Sequence, residues 1–389
     1  MKKVVLAYSG VLDTSCAITW LKDKGWEVVA YIGDVGQGED FAEIEKRALK
    51  TGAKRVYVGD LKKEFIKDFI LPTLQANAAY EGKYLLATAL TRPLIAKHLV
   101  EVAHREKATA IGHGCTGKGN DQVRFEVTAH ILDPKLSIVA PVREWEFKSL
   151  EEEIDYAKAK NIPLNVTKKK VYSIDKNLWG ISIECGILED PWQEPPKDAY
   201  QLTVAPQEAP SKPTILEIGF EKGVPTKING TVYEIEELIK KLNEIAGKNG
   251  VGRVDMVENR LVGIKSREIY EFPAATCLYL THRDLESLTL DRELLHFKDS
   301  LSQKYAELAY YGLWYSELKK SLDAFIKETQ KNVTGTVRIK LYKGQCVCIG
   351  RKSPKSLYKE DLATYTEKDK FDQKLAEGFI RLWGLPFQR

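Results

Sequence analysis

At 389 residues the chain is long enough for two to three domains of roughly 150 residues each, with a buried core that needs no disulfide staples. Lys and Arg number 59 against 55 Asp and Glu, a net charge of +4 that gives no electrostatic footprint for a nucleic-acid binder, although a small anionic ligand needs only a local pocket. A hydrophobic content of 43% with 29% charged residues describes a soluble globular protein and excludes disorder and collagen-like structure. Apolar runs such as Val4-Val5-Leu6-Ala7 stop far short of the roughly 20 residues of a membrane span, and the stretch from Val4 to Tyr8 is too short for a secretory signal. Cys16, Cys115, Cys185, Cys277, Cys346 and Cys348 form no CxxC pair, which points to a reduced, cytoplasmic protein without a cysteine metal site.

The first part of the chain alternates strand and helix. Strands are predicted at Lys3 to Tyr8, Glu27 to Ile32, Arg55 to Val58, Thr109 to Gly112 and Ile138 to Val142. Helices are predicted at Thr14 to Lys24, from an Asp40 N-cap through Leu49, at Glu64 to Leu71 and at Leu90 to Glu106. This order argues for βαβ units and an α/β fold with a doubly wound parallel sheet, whose ligands sit at the carboxyl ends of the strands.

From about Val166 the pattern becomes α+β. Hairpins are expected around Glu221-Lys222-Gly223 and Lys343-Gly344, with Pro225 marking an edge strand, and helices at Glu234 to Ala246 and Leu285 to Lys298. Glu194 through Pro213 reads as an irregular surface connection, and Lys168-Lys169-Lys170 as a solvated face. Asp372 to Trp383 is an amphipathic helix with Leu375, Phe379, Ile380 and Trp383 on one side, and it needs a docking face in this chain or in a partner subunit. The resulting division is an α/β domain over 1–165, an α+β domain over 166–360 and a C-terminal helical segment over 361–389.

Three glycine-rich loops follow the first, second and fourth of the predicted strands. Tyr8-Ser9-Gly10-Val11-Leu12-Asp13-Thr14-Ser15 turns small residues into a helix N-terminus, a combination that favours a phosphate or pyrophosphate; the same residues also read as a plain capped helix. Gly33-Asp34-Val35-Gly36-Gln37-Gly38 is the second. The third, Gly112 to Asp121, nearly matches a P-loop but has Gly119 where a Mg²⁺-binding hydroxyl is required, so a P-loop NTPase is set aside. Its polar residues Asn120, Asp121, Gln122 and Arg124 suit a site for a nucleotide and a zwitterion, with a polar surface loop as the alternative. No His pair has metal-ligand spacing, and no Gly-x-Ser-x-Gly elbow occurs.

The first loop resembles the pyrophosphate-binding motif of the adenine-nucleotide alpha-hydrolase-like ATP pyrophosphatases, and nearly the whole chain resembles the argininosuccinate synthase family. The resemblance rests on Ala7-Tyr8-Ser9-Gly10 with Leu12-Asp13-Thr14-Ser15, Val35-Gly36-Gln37-Gly38, Tyr84-Leu85-Leu86 with Arg92-Pro93, and Thr116-Gly117-Lys118-Gly119-Asn120-Asp121-Gln122-Val123-Arg124-Phe125-Glu126. Gly250-Val251-Gly252-Arg253, Glu258-Asn259-Arg260 and Ser266-Arg267 with Ile269-Tyr270-Glu271 extend it into the second half.

That resemblance implies ATP-dependent condensation of citrulline with aspartate to argininosuccinate, AMP and pyrophosphate, with ATP as substrate, Mg²⁺ on the nucleotide and a homotetrameric assembly. ATP would be surrounded by Ala7, Tyr8, Ser9, Gly10, Val11, Leu12, Asp13, Thr14 and Ser15, with Gly33 and Gly114. Citrulline would be held by Tyr84, Asn120, Arg124, Ser173, Ser182, Glu258 and Tyr270, and aspartate by Thr88, Thr116, Asn120 and Asp121, with Asp13 and Asp121 in catalytic roles. Arg124 could pair with the citrulline carboxylate and Glu258 with its ammonium. Val11 replaces the second Gly of the family motif, Ala87 and Ala89 replace the Gly and Ser around Thr88, and Gly180 and Ile183 stand where relatives commonly carry His and Tyr. Glu268, Phe272, Ala274 and Ala275 replace the usual Gly, Thr, Gly and Gly beside Tyr270. Two alternatives follow: a ligase of the same fold with another ureido or amide acceptor, or a weakly active nucleotide-binding homologue with a strained Val11.

Overall fold

A computed structural model describes residues 2–163 and 172–388. Strands β1 (Lys2–Ala7), β2 (Trp26–Asp34), β3 (Arg55–Asp60), β4 (Ala110–Gly112) and β5 (Ser137–Val139) form an all-parallel sheet in the order β3-β2-β1-β4-β5. Alternation in β1 covers both faces: Val4 and Leu6 pack with Ile18 and Leu21 of the Leu12–Asp23 helix, and Val5 packs with Leu99 and Ala103 of the Ala87–Glu106 helix. The doubly wound α/β expectation holds. Asp40 caps the Phe41–Thr51 helix by accepting from the Glu43 amide at 3.1 Å.

Several boundaries differ from expectation. The fifth strand stops at Val139 because Pro141 starts the helical turn Pro141–Glu144. The helix expected at Glu64 to Leu71 is part of a longer helical path from Lys62–Phe65 through a π turn, Ile66–Ile70, to Leu71–Gln75. The Asp121–Leu132 and Leu150–Ala159 helices carry no apolar stripe strong enough to announce them in the sequence.

The second half builds two antiparallel sheets. Strands β6 (Ser173–Asn177), β7 (Gly180–Glu184), β8 (Thr214–Glu221), β9 (Val224–Ile228), β10 (Thr231–Val232), β11 (Arg253–Asn259), β12 (Lys265–Glu271), β13 (Gly335–Tyr342) and β14 (Gln345–Lys352) assort into β11-β12-β7-β6 and β10-β9-β8-β13-β14. Both expected hairpins are present. Each turns on a Lys-Gly pair with positive φ (Lys222 49°, Gly223 76°; Lys343 48°, Gly344 86°), as a two-residue turn with strand-matched twist requires. β9 is not the edge strand expected from Pro225, because β10 pairs with Lys227 and Ile228 outside it, although Pro225 itself lies beyond that paired stretch.

The single helix expected at Leu285 to Lys298 is two, Pro273–Thr289 and Arg292–Tyr310, broken where Asp291 accepts from the Leu294 amide at 3.0 Å. The fully buried Lys298–Glu286 pair, 3.1 Å apart, ties them together. The Pro-rich connection is irregular but only partly a surface feature. Fully buried Glu271 accepts from the amides of Gln201 at 2.7 Å and Thr203 at 2.8 Å, which straps that stretch to β12. The Leu375–Gly384 helix buries none of its residues. The Lys168-Lys169-Lys170 run and the expected boundary at 165 lie outside the described residues. Among the described residues no helix is long and apolar enough to cross a membrane.

Candidate active site

The parallel sheet reverses its order between β1 and β4, and the loops after these strands open a crevice at their carboxyl ends. A cavity of about 910 Å³ occupies it. The opposite wall is the β11-β12-β7-β6 sheet, whose two-residue alternation brings Glu258, Tyr270, Ser182 and Ser173 to the cavity. Glu268, Glu184 and Asp175 share that wall.

In the first loop, Ala7, Tyr8, Ser9, Val11, Asp13 and Thr14 line the cavity, together with Gly33 and Gly114. Gly10, Leu12 and Ser15 lie behind them and shape the loop. Ser15 is fully buried and shares a 3.0 Å hydroxyl contact with Tyr8, while Arg47 donates to the Gly10 carbonyl at 2.7 Å. The left-handed residue is Gly10, at φ 77°, where a Cβ would stand 2.9 Å from Ile44 Cγ2. Val11 has φ −80° and ψ 174°, extended backbone open to any residue, so the strain expected at this position is absent. Gly114 packs on Thr14, which holds the first and third loops together.

Asp13 faces Glu153 of the Leu150–Ala159 helix, a residue that sequence reasoning missed. Burial and the Asp13 charge push the Glu153 carboxyl up to about 8, and burial also raises Asp13, which accepts from Glu153. Burial and their mutual repulsion favour one proton held between the two carboxyls. A single half-buried carboxylate on the cavity suits Mg²⁺ arriving on a nucleotide, which keeps its waters and takes few protein ligands. Among the described residues no three His, Cys, Asp or Glu side chains could cage a metal on their own.

Asp121 sits between two guanidinium groups: Arg92 Nε donates to it at 2.8 Å and Arg124 Nη1 at 2.7 Å. Burial would raise its carboxyl, but Arg92 and Arg124 outweigh burial and hold it below the usual range. Arg92 also pairs with Asp175, which burial raises. Neither Arg92 nor Asp175 was assigned a role from sequence, since a single Arg in a helix gives no sign of the strand it will reach. Arg124 is not a free fork, because its Nε donates to the Tyr310 carbonyl at 2.9 Å.

Asn120, Glu258 and Tyr270 meet through a further unassigned residue, Tyr310. Tyr270 donates to Glu258 Oε2 at 2.6 Å and Tyr310 donates to Oε1, while burial raises the carboxyl against both phenols. Tyr84 stacks on Tyr270 at 4.4 Å and caps the Ala87–Glu106 helix by accepting from the Ala89 amide at 3.1 Å. Thr88 shares a 2.8 Å hydroxyl contact with Ser182, and Thr116 lies on the cavity across from them.

Ala87 and Ala89 are fully buried and do not line the cavity. At Gly180 a Cβ would stand 2.4 Å from Phe272 Cδ1 and 2.6 Å from the Glu271 carbonyl oxygen, so only glycine fits against this stretch of β12.

A family model described as the arginosuccinate synthase N-terminal HUP domain matches residues 3–163, and one described as the arginosuccinate synthase C-terminal domain matches residues 172–389. Proteins named argininosuccinate synthase from Bacillus thuringiensis (strain Al Hakam), Halalkalibacterium halodurans and Thermoanaerobacter sp. (strain X514) are 58%, 60% and 59% identical to the chain over 385 residues. These matches span 99% of this chain and 96%, 94% and 94% of the respective relatives.

Proposed function

This chain belongs to the argininosuccinate synthase family, and from that premise we propose how its residues share the reaction. The enzyme is a carbon–nitrogen ligase of arginine biosynthesis that condenses L-citrulline with L-aspartate at the expense of ATP, releasing AMP and pyrophosphate through a citrullyl-adenylate.

In the proposed arrangement the ATP phosphates lie on the loop from Ala7 to Ser15, at the positive end of the Leu12–Asp23 helix, with Gly33 and Gly114 beside the nucleotide. Citrulline lies against Tyr84, Asn120, Arg124, Ser173, Ser182, Glu258 and Tyr270. Glu258 accepts from its ammonium and Arg124 steers its carboxylate, so that the ureido oxygen reaches the α-phosphorus. Aspartate lies against Thr88, Thr116, Asn120 and Asp121. Asp121, held ionised by two guanidinium groups, is a weak base, so its part is to orient the aspartate amine that displaces AMP from the activated carbon. Asp13 would hold Mg²⁺, which when bound neutralises charge on the phosphates. The rate derives largely from holding three substrates in register.

The observation that carries this reading is that one cavity of about 910 Å³ gathers residues from all three substrate sets at the sheet's switch point. We assign residues 1–165 to nucleotide binding, 166–360 to the amino-acid site and assembly, and 361–389 to oligomerisation as a homotetramer. A cytoplasmic setting agrees with six free cysteines. The test is product analysis with ATP, aspartate and a panel of ureido and amide acceptors. Citrulline should be the preferred acceptor, and oxygen-18 from its ureido group should appear in AMP. ADP as product, label in inorganic phosphate, or equal turnover with a different acceptor would reject it.

A further inference from the structure

Tyr310 closes the Arg292–Tyr310 helix with no solvent exposure, and it touches Asn120, Arg124, Glu258 and Tyr84 together. Its ring stacks on Tyr80 with centroids 3.6 Å apart and meets Tyr84 edge-on at 6.0 Å. The Arg124 guanidinium lies 4.7 Å from the ring centroid while Arg124 Nε donates to the Tyr310 carbonyl. Two residues on, Gly312 has φ 74°, and a Cβ there would stand 2.7 Å from Arg124 Cα, so this corner of the chain is pressed directly onto the Asp121–Leu132 helix.

The hydroxyl is the informative part. Leu261 N–H donates to Asn120 Oδ1 at 2.8 Å, and a backbone amide can only donate, so the Asn120 side chain is oriented without ambiguity. Its Nδ2 then faces the Tyr310 hydroxyl at 2.7 Å and donates to it. Tyr310 has one proton left to give, and it goes to Glu258 Oε1. A directed chain therefore runs from Leu261 through Asn120 and Tyr310 to Glu258, crossing from the loop after β4 to strand β11.

We propose that Tyr310 is a positioning residue for both amino-acid substrates: its hydroxyl fixes the Asn120 amide and one oxygen of the Glu258 carboxylate together, so that the citrulline and aspartate sites are set by a single group. The inference rests on the reading that Asn120 and Glu258 touch those substrates. Tyr310→Phe keeps the ring contacts and removes only the hydroxyl. The loss of a charged hydrogen bond should raise the citrulline KM roughly ten- to a hundredfold and the aspartate KM several-fold. The ATP KM should stay within about twofold. Because the two phenols offset the burial of Glu258, removing one should also shift the acid limb of the kcat/KM profile for citrulline to higher pH.

Tyr270→Phe is the matched comparison, since it takes the other phenol from Glu258 without touching Asn120; it should raise the citrulline KM and leave the aspartate KM alone. A Tyr310→Phe enzyme with both amino-acid KM values within twofold of the parent, or with all three KM values raised equally, overturns the proposal. Glu258→Gln separates the two levels. If Glu258→Gln leaves the citrulline KM unchanged, the site assignment itself fails. If it raises that KM while Tyr310→Phe does not, only the relay through Tyr310 fails.

Discussion

Val11 projects its side chain, 47% exposed, over the end of the cavity formed by the first loop, on an extended backbone. Valine at this position carries no conformational penalty, and the helix that follows loses no side-chain cap by having it. Val11→Gly should therefore leave the ATP KM within about threefold and lower stability by roughly 0.5–1 kcal/mol through the freer unfolded chain. Gly10→Ala should behave differently. With φ 77° and Ile44 Cγ2 only 2.9 Å from the would-be Cβ, it combines backbone strain with overpacking, together about 1–3 kcal/mol. ATP titrations and thermal melts of the two variants check this, and a tenfold gain in ATP affinity from Val11→Gly would restore the strained-loop reading. With that reading goes the chief reason to expect a weakly active homologue.

Among the elements, the Ala87–Glu106 helix shows both what is legible in a sequence and what is not. Its last residue, Glu106, takes Lys3 of β1 at 3.0 Å, the Tyr57 hydroxyl of β3 at 2.6 Å and Arg55, so one carboxylate ties the helix to two strands. Tyr57, Lys3 and Arg55 hold it down to about 2, against an ordinary value of 4.5. A depressed carboxyl contributes stability above its unfolded pKa and loses it as pH falls through the folded one, here between about 4.5 and about 2. Glu106→Gln should accordingly cost about 1–2 kcal/mol at pH 7, after allowance for solvent screening, and less than half of that at pH 3. Melting curves at the two pH values measure it, and a difference that stays constant or grows toward pH 3 would refute it. From sequence the helix itself was plain, because Leu94, Leu99, Val102 and Ala103 recur at helical spacing. Its tether was not, since Glu106 and Lys3 are 103 residues apart. The same limit hid Tyr310, Arg92 and Asp175, whose partners lie on other elements. The glycine loops were readable because a left-handed turn or a close approach of two chain segments needs glycine locally, as at Gly10 with φ 77° and at Gly114 against Thr14. That Gly180 and Phe272 touch was hidden too, since nothing local in either stretch shows that β7 packs against the Phe272 ring.

For the whole molecule the question is what the Leu375–Gly384 helix rests against. Leu375, Phe379, Ile380 and Trp383 are 61–69% exposed, and Leu382, Leu385 and Phe387 beside them are also open to solvent. An isolated ten-residue helix is marginal in water because its costly first turn is followed by too few propagating bonds, so this one needs a tertiary partner to hold it. None of its residues is buried by the rest of the described chain, which supports the proposal that another subunit covers it. Burying four such side chains is worth on the order of 6–12 kcal/mol before the costs of association, enough to matter to an assembly. Deleting residues from Asp372 onward should therefore lower the association state below the proposed homotetramer while leaving the parallel sheet and its cavity intact, because no residue lining that cavity comes from the deleted segment. Sedimentation velocity on the intact and shortened proteins decides it. A shortened protein that sediments as the same oligomer would show that the helix is not the clasp, and would shift attention to the faces of the two antiparallel sheets.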